Sequence, residues 1–178
     1  SMSSSGEVMV TPDNITEVYK PRSGNVKEKI DFWEIFSGSG SLSTHAMLHG
    51  MTTGPPIDFR YGFDVGSPRH AQQILTVLRQ HEVECLFAAP DCRLWTRSGM
   101  SIGHTKRENL RMNEMAALTT LVRMLRHQTK VGKRWVVEQP YGSTMLTNMD
   151  SPIAQFLATN EHTTAVLDQC EYEAQDFN

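Results

Sequence analysis

The sequence predicts an α/β domain built on a mostly parallel, doubly wound sheet covered by helices. Apolar stretches alternate with amphipathic stretches along most of the 178 residues, and Gly or Pro ends several of the apolar ones. Strands joined through helices run parallel, because each helix carries the chain back to the starting edge of the sheet. The length suits one domain with its own core. A composition of 39% hydrophobic and 21% charged residues is ordinary for such a domain.

Residues 1–28 are polar and precede the first predicted strand. We expect a loose or surface-draped arm there, with a short helix near Ile15–Tyr19; a disordered lead-in is favoured over a segment that closes over a site. Ile30–Phe36 is rich in β-branched and aromatic residues, which predicts the first strand. The sequence SGSGS at 37–41 ends that strand, and the apolar positions from Leu42 to His49 predict a helix with a serine N-cap.

The next predicted unit runs from an irregular strand to a buried one. Thr52–Ile57 contains two prolines, so we expect at most an edge or irregular strand. Pro68–Gln80 has its apolar residues spaced for one face of a helix. The apolar run ECLFAA at 84–89 then predicts a buried strand that ends at Pro90.

The remainder of the chain repeats this alternation of strand and helix. Residues 97–114 are predicted to form a long polar loop of the kind that lies over active sites. Asn113–His127 carries a clear apolar stripe and predicts a helix. The apolar run Trp135–Val137 predicts a strand, Pro152–Thr159 a short helix, and Thr163–Cys170 a final strand.

Two residues that can carry chemistry follow predicted strands. Cys92 comes two residues after Pro90, between Asp91 and Arg93, and Glu138 directly follows the next apolar strand. The carboxyl ends of parallel strands meet at one edge of a sheet, where open α/β folds bind ligands. A carboxylate beside an apolar strand must be paired, protonated or functional. The alternative for Cys92 is a buried, unreactive cysteine that serves packing alone.

The turn after the first strand and the acids after the second predict a ligand site. Gly38 and Gly40 permit a tight turn and close approach of a ligand, and a helix N-terminus offers N–H groups to an anion. Turns of the form GxG also join strands to helices for structural reasons alone. Asp58 and Asp64 follow the second strand, where a carboxylate commonly accepts hydrogen bonds from ribose hydroxyls. The alternative for each is a turn or helix-cap role.

Composition and charge exclude several classes of protein. No apolar run approaches the roughly 18 residues of a membrane span, and no signal peptide is recognisable, so we expect an intracellular protein (nucleus, nucleoid or cytoplasm) that is not secreted and has no membrane partner. Three cysteines without zinc-type spacing indicate a reducing compartment and no metal site. The net charge of −3 means that nucleic acid could be bound only through a local patch.

Three motifs, taken together and in this order, resemble the cytosine-5 DNA methyltransferase family. FSGSGSLS (Phe36–Ser43) resembles that family's S-adenosylmethionine loop, AAPDCRLWT (Ala88–Thr96) its catalytic GGPPCQGFS-type motif, and VVEQP (Val136–Pro140) its ENV or ENP motif. The resemblance covers Asp31 to about Pro140. It implies that residues 29–178 form an S-adenosylmethionine-dependent, Rossmann-like, doubly wound methyltransferase domain whose last strands are incomplete.

The resemblance also implies a mechanism. Cys92 would attack C6 of cytosine as a thiolate, while Glu138 would hold N3 and the amino group of a base that has left the stack. The cofactor would contact Phe36, Ser37, Gly38, Ser39, Gly40, Leu42, Asp58, Asp64 and Pro90, with the roles of the two aspartates left open. Nucleic acid would contact Arg93, Arg97, Lys106 and Arg107. DNA is the expected substrate. RNA is the alternative, because Thr96 resembles the branch of the family that acts on transfer RNA.

Three departures from the family pattern leave a second interpretation open. Asp91 stands where the catalytic motif has a proline, and its charge opposes formation of the thiolate, whereas Arg93 acts in the opposite direction. Gln139 replaces the asparagine of the third motif and leaves the glutamate intact. No target-recognition domain or QxRxR-type motif follows, so we expect a truncated enzyme, one completed by a partner chain, or a minimal one. The alternative is a catalytically degenerate domain that binds cofactor, nucleic acid or a partner.

Overall fold

Three parallel strands form the centre of this α/β structure, a computed structural model that describes residues 9–24, 26–96 and 103–167. The strands are β1 (Glu28–Ile35), β2 (His81–Ala88) and β3 (Arg134–Val137), and they lie side by side in that order. The helices are α1 (Ile15–Val18), α2 (Ser41–Leu48), α3 (Pro68–Gln80), α4 (His104–Lys130) and α5 (Pro152–Thr159). The prediction of an α/β domain with a parallel sheet is therefore confirmed.

Residues 52–57 lie along the outer edge of β1 as an irregular strand. Isolated parallel bridges join Phe32 to Thr53 and Ile35 to Ile57. The prediction of an edge or irregular strand is confirmed here, and Pro55 and Pro56 account for its irregularity because neither can donate a ladder hydrogen bond. The chain thus leaves β1 towards one edge of the sheet and returns to β2 on the other side of β1. A crevice forms beyond the carboxyl ends of the strands where the direction of winding reverses in this way.

One face of the sheet carries most of the core. Paired residues on neighbouring strands point to the same face, so Trp33, Leu86 and Trp135 line up across the three strands. Trp33 and Leu86 are fully buried. The Trp135 ring packs edge-on against Phe156 of α5 at 5.4 Å, and its indole N–H donates to Thr129 of α4. Helices α4 and α5 therefore cover this face.

The opposite face of the sheet is covered only in part by the residues that the structure describes. Phe32 and Phe87 stack across β1 and β2 with ring centroids 6.1 Å apart, and both are partly exposed. The first turn of α2 reaches this face near the carboxyl end of β1. There the buried Glu34 carboxylate accepts hydrogen bonds from the backbone N–H and the hydroxyl of Ser43. Beyond that contact, apolar side chains such as Val136 stay exposed.

Helix α4 begins earlier than the sequence predicts. Residues 104–112 belong to its first turns rather than to the predicted polar loop, so Lys106, Arg107 and Arg111 are helical residues. The segment is rich in strong helix formers and contains no Gly or Pro after Gly103. These turns are polar on most sides, and the apolar stripe from which the helix was predicted starts only where α4 reaches the sheet. Arg97 lies outside the described residues.

Three smaller expectations are corrected. Helix α2 has Gly40 at its N-cap, with φ of +71° and no side-chain cap, so the predicted serine cap is wrong. The segment around α1 is not loose, because Ile15 is fully buried in the core and Asp13 pairs with Arg69 at 2.6 Å. The predicted last strand, Thr163–Cys170, is irregular and exposed over 163–167, and its remaining residues lie outside the described part of the chain.

Among the described residues, no helix is both long enough and apolar enough to cross a membrane.

Candidate functional site

The loops that follow the three strands meet at one edge of the sheet. The backbone N–H of Ala89 donates to the Ile35 carbonyl at 3.3 Å, and that of Glu138 donates to the Ala88 carbonyl at 2.9 Å. Cys92 lies four residues beyond Ala88, and it begins the short 3₁₀ turn Arg93–Trp95. The structure therefore brings the loops that carry Cys92 and Glu138 to the edge where the glycine-containing loop after β1 also lies.

The loop after β1 has an unusual backbone that its own contacts maintain. Phe36, Gly38 and Gly40 all have positive φ, at +58°, +54° and +71°. The N–H of Gly38 donates to Oδ2 of Asp58 at 2.8 Å, and the N–H of Gly40 donates to the carbonyl of Ser37 at 3.0 Å. Both glycine N–H groups are thus already bonded within the chain. The expectation that this loop binds an anionic ligand through its N–H groups stays a prediction, and the lack of a side chain on Gly38 permits close approach.

A cavity of about 520 Å³ opens between this loop, the loop after β2 and helix α4. Four carboxylates and one arginine lie among its lining residues, so we call it the acidic cavity. Of the predicted cofactor residues, Phe36, Gly38, Asp58, Asp64 and Pro90 line it. Its size suits a nucleoside-sized ligand.

The other four predicted cofactor residues lie outside the lining of the acidic cavity. Leu42 is exposed on α2. Gly40 packs against the ring of Pro56, and the Ser39 carbonyl accepts a hydrogen bond from the Tyr61 hydroxyl at 3.0 Å. Ser37 is buried between two lining residues, and its hydroxyl has no hydrogen-bond partner among the residues described.

The two aspartates that sequence reasoning left undecided have different backbone roles. Asp58 fastens the Gly38 N–H with one oxygen and accepts from the Arg60 N–H with the other, at 2.8 and 3.0 Å. Asp64 accepts from the Gly66 N–H at 3.0 Å. Each carboxylate has lone pairs left for a ligand, so the predicted turn roles and ligand roles are compatible. Asp58 is the one that shapes the glycine loop.

Glu114 of α4 is a site residue that the sequence analysis missed. Its Oε1 accepts a hydrogen bond from the Trp95 indole at 2.9 Å, and its side chain lines the acidic cavity. The pKa of Glu114 is raised to about 7, chiefly by burial and also by the nearby charge of Asp91, while the hydrogen bond from Trp95 and the charge of Arg93 act in the opposite direction. The sequence did contain a signal for Glu114, because it lies one helical turn before Leu118 and therefore on the buried face of α4.

Asp91 and Arg93, the two neighbours of Cys92, pair with each other. Asp91 accepts from the Arg93 backbone N–H at 2.9 Å and from the guanidinium at 2.6 Å. This pairing raises the pKa of Arg93. The two charges that flank Cys92 in the sequence are therefore engaged with each other in one exposed ion pair. Arg93 was predicted to contact nucleic acid, but its charge is directed at Asp91.

A second, open cleft of about 680 Å³ lies on the other side of the Arg93–Trp95 turn. Leu94 lines both this cleft and the acidic cavity. Arg107 and Arg111 reach the cleft from α4, and we call it the arginine cleft. Arg111 pairs with Asp150 at 3.0 Å and lies over the Trp95 ring at 5.9 Å.

Of the predicted nucleic-acid contacts in the described part of the chain, Arg107 alone lines the arginine cleft. Lys106 is exposed on the first turn of α4 and lines neither cavity. Tyr141, which the sequence analysis did not single out, also lines the cleft and is 97% exposed. No pattern of hydrophobic spacing predicts an exposed aromatic residue in a loop.

The loop after β3 is fastened to the loop that carries Cys92. The side-chain amide of Gln139 donates to the Pro90 carbonyl at 2.6 Å and accepts from the Ser143 hydroxyl at 2.7 Å. Glu138 itself is exposed, and its backbone N–H completes the link to β2. Gln139 is therefore a connecting residue in its own right, a role that sequence reasoning did not assign to it.

Comparison of the chain with protein-family models, with curated proteins and with solved structures finds no match. Within the described ranges, no group of three or more His, Cys, Asp or Glu side chains has the arrangement of a metal site. The chemistry of this edge must therefore be inferred from its own residues.

Proposed function

We propose that this chain is an S-adenosylmethionine-dependent methyltransferase that methylates C5 of cytosine in DNA through a covalent adduct with Cys92. One observation carries the proposal. Two cavities that differ in charge lie on either side of the 3₁₀ turn that follows Cys92: one is lined by four carboxyl groups and one arginine, and the other by two arginines and Asp150. S-adenosylmethionine carries a net positive charge and a nucleic acid is a polyanion, so each cavity suits one of the two reactants.

S-adenosylmethionine fits the acidic cavity in size and in charge. The carboxylates of Asp58, Asp64 and Glu114 face a volume of about 520 Å³. Nothing lies within 4 Å of the position that a side chain on Gly38 would occupy, so a ligand can lie against that backbone. The buried Ser37 hydroxyl, without a partner in the described structure, offers a further polar contact beside the cavity. When bound, the cofactor supplies an electrophilic methyl group.

The residues of the chain supply the remaining steps. The Cys92 thiolate adds to C6 of cytosine, which moves electron density to C5 so that C5 accepts the methyl group. The exposed carboxyl of Glu138 accepts a hydrogen bond from the amino group of the base and, in its protonated form, donates one to N3, which offsets the negative charge that develops on the ring. Transfer of the C5 proton to a water molecule, with departure of the Cys92 sulfur as thiolate, then restores the aromatic base.

The fold is consistent with this proposal. Residues 52–57 lie on one side of β1, and β2 and then β3 lie on the other, as in a sheet wound in both directions from β1. We propose that this sheet is a doubly wound methyltransferase sheet. DNA as the substrate implies an intracellular site of action. RNA is the alternative substrate.

A second candidate function is a degenerate domain that binds cofactor and nucleic acid without turnover. The Asp91–Arg93 ion pair favours it, because a cation engaged by a carboxylate at 2.6 Å does less to stabilise a neighbouring thiolate. Both readings require the acidic cavity to bind cofactor. They differ only in whether Cys92 reacts.

The test is adduct formation with an oligonucleotide that contains 5-fluorocytosine, in the presence of S-adenosylmethionine. Fluorine at C5 prevents the final elimination, so the chain should become covalently attached, and mass spectrometry detects the product. Cys92→Ser should abolish the adduct, whereas Cys85→Ser should retain it. Cys85 is the matched control because burial raises the pKa of its thiol and disfavours the thiolate.

The other outcomes separate the two readings. Calorimetric binding of S-adenosylmethionine without any adduct would identify the degenerate domain. Absence of binding at millimolar cofactor would contradict both functions. An adduct that persists in Cys92→Ser but disappears in Cys85→Ser would place the chemistry on the wrong cysteine and overturn the mechanism.

A further inference from the structure

The loop after β3 presents one aromatic ring to solvent on a fixed turn. Tyr141 is 97% exposed, although an exposed aromatic ring gains nothing from the core. The N–H of Ser143 donates to the Pro140 carbonyl at 3.0 Å, and Gly142 has φ of +88°. This is a tight turn that needs glycine at its third position, and it leaves the Tyr141 side chain projecting from the turn.

That turn is held at both ends. Before it, Gln139 donates to the Pro90 carbonyl at 2.6 Å and accepts from the Ser143 hydroxyl. After it, the N–H of Thr144 donates to the Trp95 carbonyl at 2.8 Å. Tyr141 is therefore a pre-positioned ring, and contact with a ligand costs little ordering of the backbone.

The wall across the cleft provides positive charge. Arg107 and Arg111 are four residues apart on α4, so they lie on the same face of that helix. Arg111 is engaged by Asp150 and by the Trp95 ring. Arg107 has no ion pair with any other described residue, so its guanidinium is free to meet a phosphate.

We propose that the arginine cleft binds an unpaired stretch of nucleic acid, with one base stacked on Tyr141 and an adjacent phosphate at Arg107. A free aromatic face can stack only on a base whose own face is free, which favours a single strand over an intact duplex. This inference rests on the proposed function and deepens it, because it names the form of the substrate. Tyr141 lies three residues after Glu138 along the chain, in the same loop after β3.

The experiment is fluorescence anisotropy with a labelled single-stranded oligonucleotide and with the duplex of the same sequence, both without cofactor. The single strand should bind more tightly. Tyr141→Ala should weaken its binding about 5- to 100-fold, as expected for the loss of one stacked base, and Tyr141→Phe should bind like the wild type. Arg107→Gln should weaken binding and lower the slope of log affinity against log salt concentration by about 1.

Met112→Ala is the control, since it removes a 73% exposed side chain from the same helix without touching the cleft lining. Equal affinity for single strand and duplex would overturn the proposal. So would full affinity in Tyr141→Ala, or equal losses in the Ala and Phe variants, which would assign the effect to the hydroxyl group. If polyglutamate competes as effectively as the unlabelled oligonucleotide, the cleft binds acidic chains in general and the proposal is wrong.

Failure of this inference is distinguishable from failure of the proposed function. The binding assay uses neither cofactor nor Cys92. A Tyr141-dependent single-strand affinity without any 5-fluorocytosine adduct would keep the cleft and reject the catalysis. An adduct that forms equally well in Tyr141→Ala, with unchanged oligonucleotide affinity, would keep the catalysis and reject the cleft.

Discussion

The acidic cavity and the arginine cleft are neighbours of similar size that differ in charge. They share Leu94, and their volumes are about 520 and 680 Å³. The cavity is lined by Asp58, Asp64 and Glu114 together with an Asp91–Arg93 ion pair, whereas Arg107 and Arg111 reach the cleft. Charge rather than volume therefore distinguishes the two, and the proposed function places the cationic cofactor on one side of the Cys92 turn and the anionic nucleic acid on the other.

The two regions also acquire their charges in different ways. Asp58 and Asp64 come from loops beyond the irregular strand, and their backbone hydrogen bonds fix their positions. Arg107 and Arg111 come from the first turns of one helix; Arg111 is held by Asp150 and the Trp95 ring, whereas Arg107 has no ion pair with another described residue. The cavity is consequently a preformed site, and the cleft is one where the ligand helps to order Arg107. Single substitutions should separate the two.

The largest expected effect is on cofactor binding in Asp58→Asn. This change removes one negative charge from the cavity and one acceptor from the Gly38 loop. A charge-assisted hydrogen bond contributes about 1.5–3 kcal/mol, so calorimetry should show S-adenosylmethionine binding about 10- to 100-fold weaker. Single-strand affinity at the cleft should not change.

Asp13→Asn is the matched control for that variant, since Asp13 is 77% exposed and pairs with Arg69 away from the cavity. Cofactor affinity that is unchanged in Asp58→Asn would show that the acidic cavity is not the cofactor site. A parallel loss of oligonucleotide affinity would show that cavity and cleft are not independent.

The contrast between the regions also explains what the sequence could predict. Strands β2 and β3 were predictable because a buried parallel strand is a continuous apolar run, and helix α3 was predictable with its bounds from Pro68 to Gln80. The prediction of a strand at Thr163–Cys170 was wrong over 163–167, which are irregular and exposed. Asp58 and Cys92 could be singled out because residues that follow strands in a parallel sheet collect at one edge. Five residues that line the acidic cavity were therefore predicted from the sequence as cofactor contacts, whereas Glu114 was not.

The arginine cleft could not be predicted from the sequence in the same way, because the residues that line it are brought together by tertiary contacts. Helix α4 starts at His104, and its first turns carry no apolar stripe from which periodicity could detect them. Tyr141 is exposed, so hydrophobic spacing gives no signal for it. The pairing of Asp91 with Arg93 and the link from Gln139 to Pro90 are set by side-chain geometry, which spacing along the chain does not determine.

The next effect concerns Glu114 and the pH dependence of stability. Its pKa in the folded chain is about 7, raised chiefly by burial from the ordinary value of 4.5. The folded state therefore holds a proton that the unfolded state has released between these pH values, and the free energy of unfolding must fall as pH rises from about 4.5 to about 7. Glu114→Gln removes this loss, so its melting temperature should exceed that of the wild type at pH 8 by more than at pH 5.

Calorimetric scans of both proteins at the two pH values measure this difference in melting temperature. In a chain of this size, each kcal/mol of unfolding free energy corresponds to a shift of about 2–4 °C. Glu108→Gln, on an exposed position of the same helix, is the control. Equal shifts at pH 5 and pH 8 would mean that the Glu114 carboxyl is solvated, and the cavity would lose part of the enclosed character that separates it from the cleft.

The smallest effect should come from Gly142→Ala, which tests whether the turn itself positions Tyr141. Gly142 and Gly132 have similar positive φ values, +88° and +72°, and nothing lies within 4 Å of the position of an added Cβ at either glycine. Alanine at each site therefore meets the same backbone strain, about 1–2 kcal/mol, and both variants should lose a similar amount of stability in denaturant titrations. Only Gly142→Ala should weaken single-strand binding, by about 2- to 5-fold, since it alone disturbs the turn that carries the ring. If Gly132→Ala weakens binding equally, the loss follows from global strain and Tyr141 is not held in place by its turn.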